Sequence, residues 1–489
     1  MAISAFAVLG AAAVWLGGLN QDEGWYLYAA NLCAEGKLLY RDFFYTQGPA
    51  MPNVYKAFTF VWKTWGLLGA RVFTLVLGFA GIVLAAALAR HLAPEGRKGE
   101  AALAAFLLLG CNLYHLYYVA IPKTYALASL FVMIGFFLLF VGKRPVFPLA
   151  AGLALAFAAG TRISLGTLLC VVGLWLLCSR QWKSLLWFCI GGFGGLALVY
   201  GPYLCDPGAR AGLLAAQEYH AARGGFDLVW VVGSLSRLVR WYLPVFVVLG
   251  LGVAGMLKVG GRRLKVGQRN LHVLILSFLA VFIVQMLAPF PYEDYQVPVM
   301  GLIAVYAAVN FAENTPAPSF NLQPPTFNLL LILGLCFANS FGSPLLEKWM
   351  TNGQDRFWSL KKEKCEMAQL RDVAKRIEQQ DPGGKTLLTQ DLYLAIETNR
   401  RVPKGLEMGP FAMLSDGEWK KLLTETAPTE CKVAALSGYA FAIEPPVCGE
   451  RSVEKQMEYW TLLKRNYKLV DREELFGQNA TTLLMLKRK

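Results

Sequence analysis

The chain has 489 residues, of which 56% are hydrophobic and 16% charged, and its formal net charge is +14. This composition is too apolar for an ordinary soluble protein, and the length leaves room for a soluble domain beside a membrane domain. The basic residues fall mainly in short loops between apolar runs, as membrane topology requires, so the positive charge does not indicate a nucleic-acid partner.

Apolar stretches that can cross a bilayer recur along residues 1–343 and predict about eleven transmembrane helices. They lie near 2–19, 69–90, 101–120, 124–141, 148–162, 163–179, 184–204, 241–258, 271–290, 297–312 and 327–343. The first run has neither a basic leader nor a cleavage site, so it predicts an uncleaved span. Residues 148–179 are short for two full spans, and one half is alternatively a re-entrant segment.

Basic residues cluster in alternate loops, and the positive-inside rule makes those loops cytoplasmic. The residues concerned are Arg90, Arg97, Lys98, Lys143, Arg144, Arg180, Lys183, Lys258, Arg262, Arg263, Lys265 and Arg269. This pattern predicts an integral membrane protein with a cytoplasmic N-terminus. The segments 20–68, 205–236 and 291–296 and the C-terminal domain are then outside.

Two amphipathic stretches lie within the first outer loop, 20–68. Gly24 to Glu35 and Val54 to Trp65 carry aromatic and aliphatic residues at helical spacing, which predicts two helices lying flat at the membrane interface.

Beyond residue 343 the composition changes to charged segments that alternate with short apolar runs. Charged helical stretches near 359–380, 416–426 and 452–475 and apolar runs at 386–389, 433–443 and 481–486 predict an extracytoplasmic α/β domain over 344–489. Cys431 and Cys448 are a candidate disulfide pair, provided that this domain faces an oxidising compartment.

Charged residues stand at the edges of several spans, where they are costly and usually functional. Asp22-Glu23-Gly24 follows the first span and leads through Tyr40-Arg41-Asp42, while Gly160-Thr161-Arg162-Ile163-Ser164 ends a mid-chain span. A later outer turn reads Pro291-Tyr292-Glu293-Asp294-Tyr295. In these motifs and in its plan of spans, the chain resembles the polytopic GT-C glycosyltransferases, which include the protein O-mannosyltransferases and the lipid A aminoarabinose transferases.

The resemblance implies transfer of a sugar, with inversion, from a polyprenyl-phosphate donor to an acceptor outside the membrane. Asp22 would be the base that takes the acceptor proton, and Glu23 or Asp42 would assist. The alternative for Asp22 is that it only caps the helix that begins at Glu23. No cofactor is implied, and although a carboxylate could bind a divalent metal, nothing in the sequence supports a metal site.

The leaving lipid phosphate needs cationic partners, and arginine suits it because the guanidinium donates two parallel hydrogen bonds. Each candidate basic residue could instead snorkel to the interface. The candidates are Arg41, Lys56, Lys123, Arg162, Arg223, Arg237 and Arg240. Glu293 and Asp294 form a second acidic pair that could contact the sugar, the acceptor or a basic partner.

The sequence has no Walker-type phosphate loop and no dinucleotide-binding fingerprint, which agrees with a lipid-linked donor. The acceptor could be a glycan, a lipid or a protein. Two other interpretations stay open: a transporter or flippase for a lipid-linked sugar, and a non-catalytic subunit that binds partners within a membrane complex.

Overall fold

The structure, a computed structural model, describes residues 2–142, 144–222, 224–258, 266–288, 291–314, 324–342, 364–445 and 449–489. Two expectations fall on other residues and lie outside this range: the candidate Arg223 and the pairing of Cys431 with Cys448.

The N-terminal part of the chain is helical, as its apolar runs predict. Its helices are α1 (Ala2–Leu16), α2 (Gln21–Ala34), α3 (Ala50–Tyr55), α4 (Thr59–Leu92), α5 (Lys98–Gly110), α6 (Leu113–Ala120), α7 (Thr124–Val141), α8 (Val146–Thr161), α9 (Thr167–Cys178), α10 (Trp182–Cys205), α11 (Pro207–Ala221), α12 (Leu228–Trp241), α13 (Leu243–Lys258), α14 (Val266–Met286), α15 (Met300–Asn314) and α16 (Pro324–Phe341). Short 3-10 turns join several of them, including Glu293–Val299 before α15.

Several of these helices are long and apolar enough to span a bilayer. Within the described residues, four continuous stretches qualify, and up to seven do if each of three sharply bent helix pairs is one span. Four shorter apolar helices, of 10–17 residues, accompany them. The chain is thus an integral membrane protein of the polytopic helical class that the sequence predicted.

The C-terminal domain combines helices with two small sheets. It contains α17 (Glu366–Gln380), α18 (Leu392–Glu397), α19 (Asp416–Lys421), α20 (Ala427–Glu430) and α21 (Val453–Asn466), with strands β1 (Val433–Ser437), β2 (Ile443–Glu444), β3 (Gly449–Glu450), β4 (Tyr467–Phe476) and β5 (Thr481–Arg488). The main sheet has the antiparallel order β1-β5-β4, and β2 pairs with β3.

One expectation for this domain is wrong in its second half. The stretch 452–475 is helical only to Asn466, and from Tyr467 it forms β4, which pairs with β5 from Tyr467↔Arg488 to Phe476↔Thr481. The hydrogen bonds of this hairpin override the charged, helix-like composition of the segment, because strand formation depends on the partner more than on intrinsic propensity.

The outer loop also differs from its predicted form. The second amphipathic stretch is divided: α3 ends at Tyr55, and a 3-10 turn leads into α4, which continues to Leu92 through a kink at Gly66. Gly66 has φ +64°, a left-handed conformation that glycine adopts without a steric penalty. The second interfacial helix is therefore continuous with the next span.

A buried ion pair holds the bend of 88° between α1 and α2. Arg71 of α4 donates to both carboxylate oxygens of Glu23, at 2.7 and 2.6 Å, and both side chains are fully buried. The same guanidinium donates to the carbonyl oxygens of Val14, Gly17 and Gly18, at 2.8–3.1 Å. Arg71 thus supplies donors to carbonyl oxygens at the end of α1, which have no partner within the helix, and binds the Glu23 side chain at the start of α2.

The C-terminal domain shares one hydrophobic core with α2 and the rest of the outer loop. Gly24 of α2 lies so close to the backbone of Leu392 and Tyr393 that a Cβ at this position would clash. Tyr28 Oη accepts a hydrogen bond from the Val402 amide at 3.0 Å. The expected boundary near residue 343 is therefore a boundary in composition. It is not a boundary in packing, because the outer loop packs with the C-terminal domain.

We predict that Glu23→Gln lowers the free energy of unfolding by about 3–5 kcal/mol, because it leaves the buried Arg71 without a counter-charge. The measurement is the thermal unfolding midpoint of the purified protein in detergent. Glu95→Gln is the matched control, since the side chain of Glu95 is 89% exposed and pairs with Lys98 at the surface. Equal midpoints for the two variants would contradict this role of the pair.

Candidate active site

A polar cavity of about 320 Å³ opens where α2, the start of α7, the end of α8 and the turn before α15 meet the C-terminal domain. Its lining is acidic, basic and aromatic: Asn20, Gln21, Asp22, Trp25, Tyr26, Thr46, Gln47, Tyr118, Lys123, Tyr125, Arg162, Tyr219, His220, Tyr292, Glu293, Asp294, Tyr295, Met408, Phe411 and Gln478. The cavity therefore collects several of the charged residues that the sequence places at span ends.

Asp22 lies in the first turn of α2, and its side chain is 30% exposed. Its carboxylate binds Lys123 Nζ at 2.8 Å and accepts a hydrogen bond from Trp25 Nε1 at 3.1 Å. The helix is capped by another residue: Asn20 Oδ1 accepts from the Asp22 amide, and Glu23 reaches back to the Asn20 amide. The capping alternative for Asp22 is therefore wrong, because Asn20 already fills that position.

Lys123 lies between two carboxylates. Its Nζ is 2.8 Å from Asp22 and 3.5 Å from Asp294, and its side chain is only 8% exposed. Tyr125 Oη donates to the same Asp294 oxygen at 2.7 Å, and the ammonium also lies 5.1 Å from the centre of the Tyr125 ring. A single buried cation thus connects the first outer turn with the turn before α15.

Arg162 is the second buried cation of the cavity. It follows the last residue of α8 in extended conformation, and its guanidinium carbon lies 4.4 Å from the Tyr295 ring centre and 5.0 Å from that of Tyr125. Nη1 donates to Thr124 Oγ1 at 3.2 Å, whereas the buried Nε has no hydrogen-bond partner. No carboxylate among the described residues pairs with it. Because a buried guanidinium is rarely left unpaired, Arg162 has donor capacity for an anion.

Glu293 forms the side of the cavity next to α12. Its Oε2 accepts hydrogen bonds from Arg237 Nε at 3.0 Å and from Ser234 Oγ at 3.3 Å. Arg237 itself is 45% exposed and is absent from the cavity lining. Arg237 therefore binds Glu293, and its guanidinium does not add a positive charge to the lining of the cavity.

The other predicted acids lie away from the cavity. Glu23 faces Arg71 in the core, so it is a structural residue and has no access to a substrate. Asp42 accepts a hydrogen bond from the Leu38 amide at 2.7 Å and binds Arg41 at 3.0 Å. The hydrogen bonds from Arg41 hold the pKa of Asp42 below its usual value, which makes it a weaker base.

The remaining predicted cations are also remote from the cavity. Arg41 is half exposed and binds Asp42 and Asp206. Lys56 is exposed and donates to Asn53 Oδ1 at 3.1 Å, and Arg240 donates to the Gly342 carbonyl at 3.0 Å. These three side chains are occupied by neighbouring protein groups at the surface.

Sequence reasoning missed the aromatic lining of the cavity and the C-terminal contribution to it. Trp25 could have been found, because the position three residues after Asp22 lies on the same helix face. Tyr118 and Tyr125 flank Lys123 in sequence, but many tyrosines in this chain lie near span ends. Met408 and Gln478 carry no local signal, since only packing of the C-terminal domain brings them to α2.

A second cavity, of about 870 Å³, is almost wholly apolar and lies between α8, α9, α10 and α11. Ala159 and Ile163 are among its lining residues and flank the position of Arg162 in the chain. Residues that line the apolar cavity are thus close in the chain to Arg162, which lines the polar cavity.

No protein-family profile matches the chain, and no curated protein matches it in sequence. Among solved structures, the chain is similar to ArnT from Cupriavidus metallidurans bound to undecaprenyl phosphate, with 13% identity, a TM-score of 0.59, and coverage of 99% of this chain and 97% of that one. The apo state of ArnT matches at 14% identity with the same TM-score and coverage. The Archaeoglobus fulgidus oligosaccharyltransferase in its apo form matches at 11% identity and a TM-score of 0.49, over 99% of this chain and 74% of that one.

The similarity to ArnT extends over nearly the whole of both chains, so it includes the membrane helices, the outer loop and the C-terminal domain. The chain is therefore an integral membrane protein with the fold of the GT-C glycosyltransferases.

Proposed function

We propose that the protein is an inverting membrane glycosyltransferase that moves a sugar from a polyprenyl-phosphate donor to a hydroxyl of an acceptor outside the membrane. The observation that carries the proposal is the arrangement of one accessible carboxylate, Asp22, beside two buried cations, Lys123 and Arg162, in one cavity. The similarity in fold to ArnT, which was solved with undecaprenyl phosphate bound, supports the same class of donor.

Asp22 is the proposed general base. The acceptor oxygen attacks the anomeric carbon while its proton passes to the Asp22 carboxylate, and the bond between that carbon and the phosphate oxygen breaks. Attack from the face opposite the phosphate gives inversion. Trp25 Nε1 holds one carboxylate oxygen at 3.1 Å, so the orientation of the base is set before substrate enters.

Lys123 and Arg162 are the proposed partners of the lipid phosphate, whose negative charge grows as the bond to the sugar breaks. Cations aimed at developing charge in a site of low water content stabilise the transition state strongly. Lys123 is bound to Asp22 before the donor arrives. Because an incoming phosphate competes for the same ammonium, donor binding would weaken that ion pair and leave Asp22 available as a base.

The apolar cavity between α8 and α11 is the proposed place for the lipid chain of the donor. It has the required chemistry, since it is almost wholly apolar, and two of its residues lie close to Arg162 in the chain: Ala159, three residues before it, and Ile163, directly after it. The sugar would then lie among the aromatic rings of the polar cavity, where flat apolar faces of a pyranose can pack against tyrosine and tryptophan.

The C-terminal domain contributes Met408, Phe411 and Gln478 to the lining. We therefore propose that this domain forms the acceptor side, facing outward from the bacterial inner membrane.

We predict that Asp22→Asn lowers kcat for sugar transfer by about 10²–10⁴-fold, because the amide keeps the shape of the side chain but cannot take a proton. The assay supplies polyprenyl-phosphate sugars to the purified protein with a panel of glycan, lipid and peptide acceptors. Asp372→Asn is the matched control, since Asp372 pairs with Lys364 on the surface of α17. Full activity of Asp22→Asn would exclude this base, and lipid translocation without transfer by the native protein would favour a transporter.

We predict that Arg162→Lys weakens binding of undecaprenyl phosphate by about 10–100-fold, which corresponds to one charged hydrogen bond or slightly more. The substitution keeps the positive charge but removes the planar fork of donors. Microscale thermophoresis in detergent measures the dissociation constant. Arg240→Lys serves as the control because Arg240 lies outside the cavity, and an equal loss in both variants would contradict a specific role for Arg162.

A further inference from the structure

The C-terminal domain holds the backbone of the turn that carries Asp22. Gln478 Oε1 accepts a hydrogen bond from the amide of Gln21, the first residue of α2, at 2.7 Å. Glu366 Oε2 accepts from the amide of Leu19 at 2.6 Å. The first amides of a helix have no partner within the helix, so Gln478 supplies an acceptor for the first amide of α2, and Glu366 supplies one for the segment that leads into it.

Gln478 is placed by a tight turn between β4 and β5. Gly477 has φ +71° and Ala480 has φ +48°, and the strands pair directly beyond them at Phe476 and Thr481. A side chain at residue 477 would clash with the hydroxyl of the buried Tyr393. The turn is thus packed against α18.

The same helix α18 packs against α2 at Gly24, where Leu392 and Tyr393 leave no room for a Cβ. The position of the β4–β5 turn relative to α2 therefore follows from the packing of two glycines on Tyr393, Gly24 on its backbone and Gly477 on its hydroxyl. Gln478 is in addition part of the cavity lining. Its carboxamide bridges the hairpin turn and the residue that immediately precedes Asp22.

The direction of the Asp22 side chain depends on the backbone of residues 20–22. Asn20 binds the amide of Asp22, and Gln478 binds the amide of Gln21, so successive amides of this turn have fixed partners. Small displacements of a catalytic group, on the order of 1 Å, reduce rates by about 10²-fold.

We infer that Gln478 is a positioning residue, through which the C-terminal domain fixes the orientation of Asp22 in the cavity. The expected effect on sugar transfer rests on the proposed function, whereas the expected effect of Gln478 on the backbone that carries Asp22 does not. The domain is then a working part of the active site, not a separate module attached to the membrane domain.

The test compares Gln478→Ala, Gln478→Glu and Asn479→Ala. Gln478→Ala removes the acceptor for the Gln21 amide, Gln478→Glu keeps an oxygen at the same reach, and Asn479 lies on the same turn without lining the cavity. We expect kcat for sugar transfer to fall about 10–100-fold in Gln478→Ala with the KM for donor changed less than about twofold. Gln478→Glu should recover most of the rate, and Asn479→Ala should match the native protein.

Hydrogen exchange of the peptide covering residues 17–30, followed by mass spectrometry, provides a readout that needs no substrate. We expect faster exchange in Gln478→Ala than in Gln478→Glu and Asn479→Ala. The inference would be overturned if Gln478→Ala changed neither the exchange nor kcat. It would also be overturned if Gln478→Glu lost as much kcat as Gln478→Ala. If the native protein transfers no sugar, the proposed function fails, but the exchange data still decide whether Gln478 holds this turn.

Discussion

The structure depends on the buried pair of Arg71 and Glu23. The buried Arg71 guanidinium donates from all three of its nitrogens, and the hydrogen bonds are divided between the Glu23 carboxylate and the carbonyls at the end of α1. This arrangement fixes the sharp bend from α1 into α2. Asp22, the neighbour of Glu23, is thereby turned toward the opposite side of the helix start, into the cavity. One acid of the pair serves the fold, and the other is left to meet a ligand.

The charges of the cavity are balanced unequally. Lys123 is shared by Asp22 and Asp294, and Glu293 is held by Arg237. Among the described residues no carboxylate forms an ion pair with Arg162, which contacts the Thr124 hydroxyl and the rings of Tyr125 and Tyr295. An anion that enters the cavity would therefore meet Arg162 before it has to displace a carboxylate. This unequal balance is the reason for proposing Arg162 as a partner of the lipid phosphate.

The shared core of the outer loop and the C-terminal domain changes how the chain is divided. Composition separates residues 1–343 from residues 344–489, because apolar membrane helices give way to charged segments. Packing instead joins α2 to α18 through Gly24, Leu392 and Tyr393. The domain that composition presents as an appendage completes one wall of the cavity.

The sequence alone was enough to predict the polytopic helical class, the position of the first helix of the outer loop, and the acidic and basic residues of the cavity. Asp22, Lys123, Arg162 and Asp294 could be selected because a charge at the end of an apolar span is costly and therefore informative. The same criterion also selected the surface cations Arg41, Lys56 and Arg240, because the sequence does not distinguish a buried span end from one that is exposed to solvent.

Only the tertiary structure decided which of two adjacent acids faces the cavity. Glu23 finds its partner 48 residues away, Lys123 meets Asp294 across 171 residues, and Gln478 binds the Gln21 amide across 457. Local sequence determines periodicity, helix ends and the cost of a charge in an apolar segment, because these depend on neighbours along the chain. Pairing between distant side chains depends on how the helices pack, and that packing has no signature in any single segment.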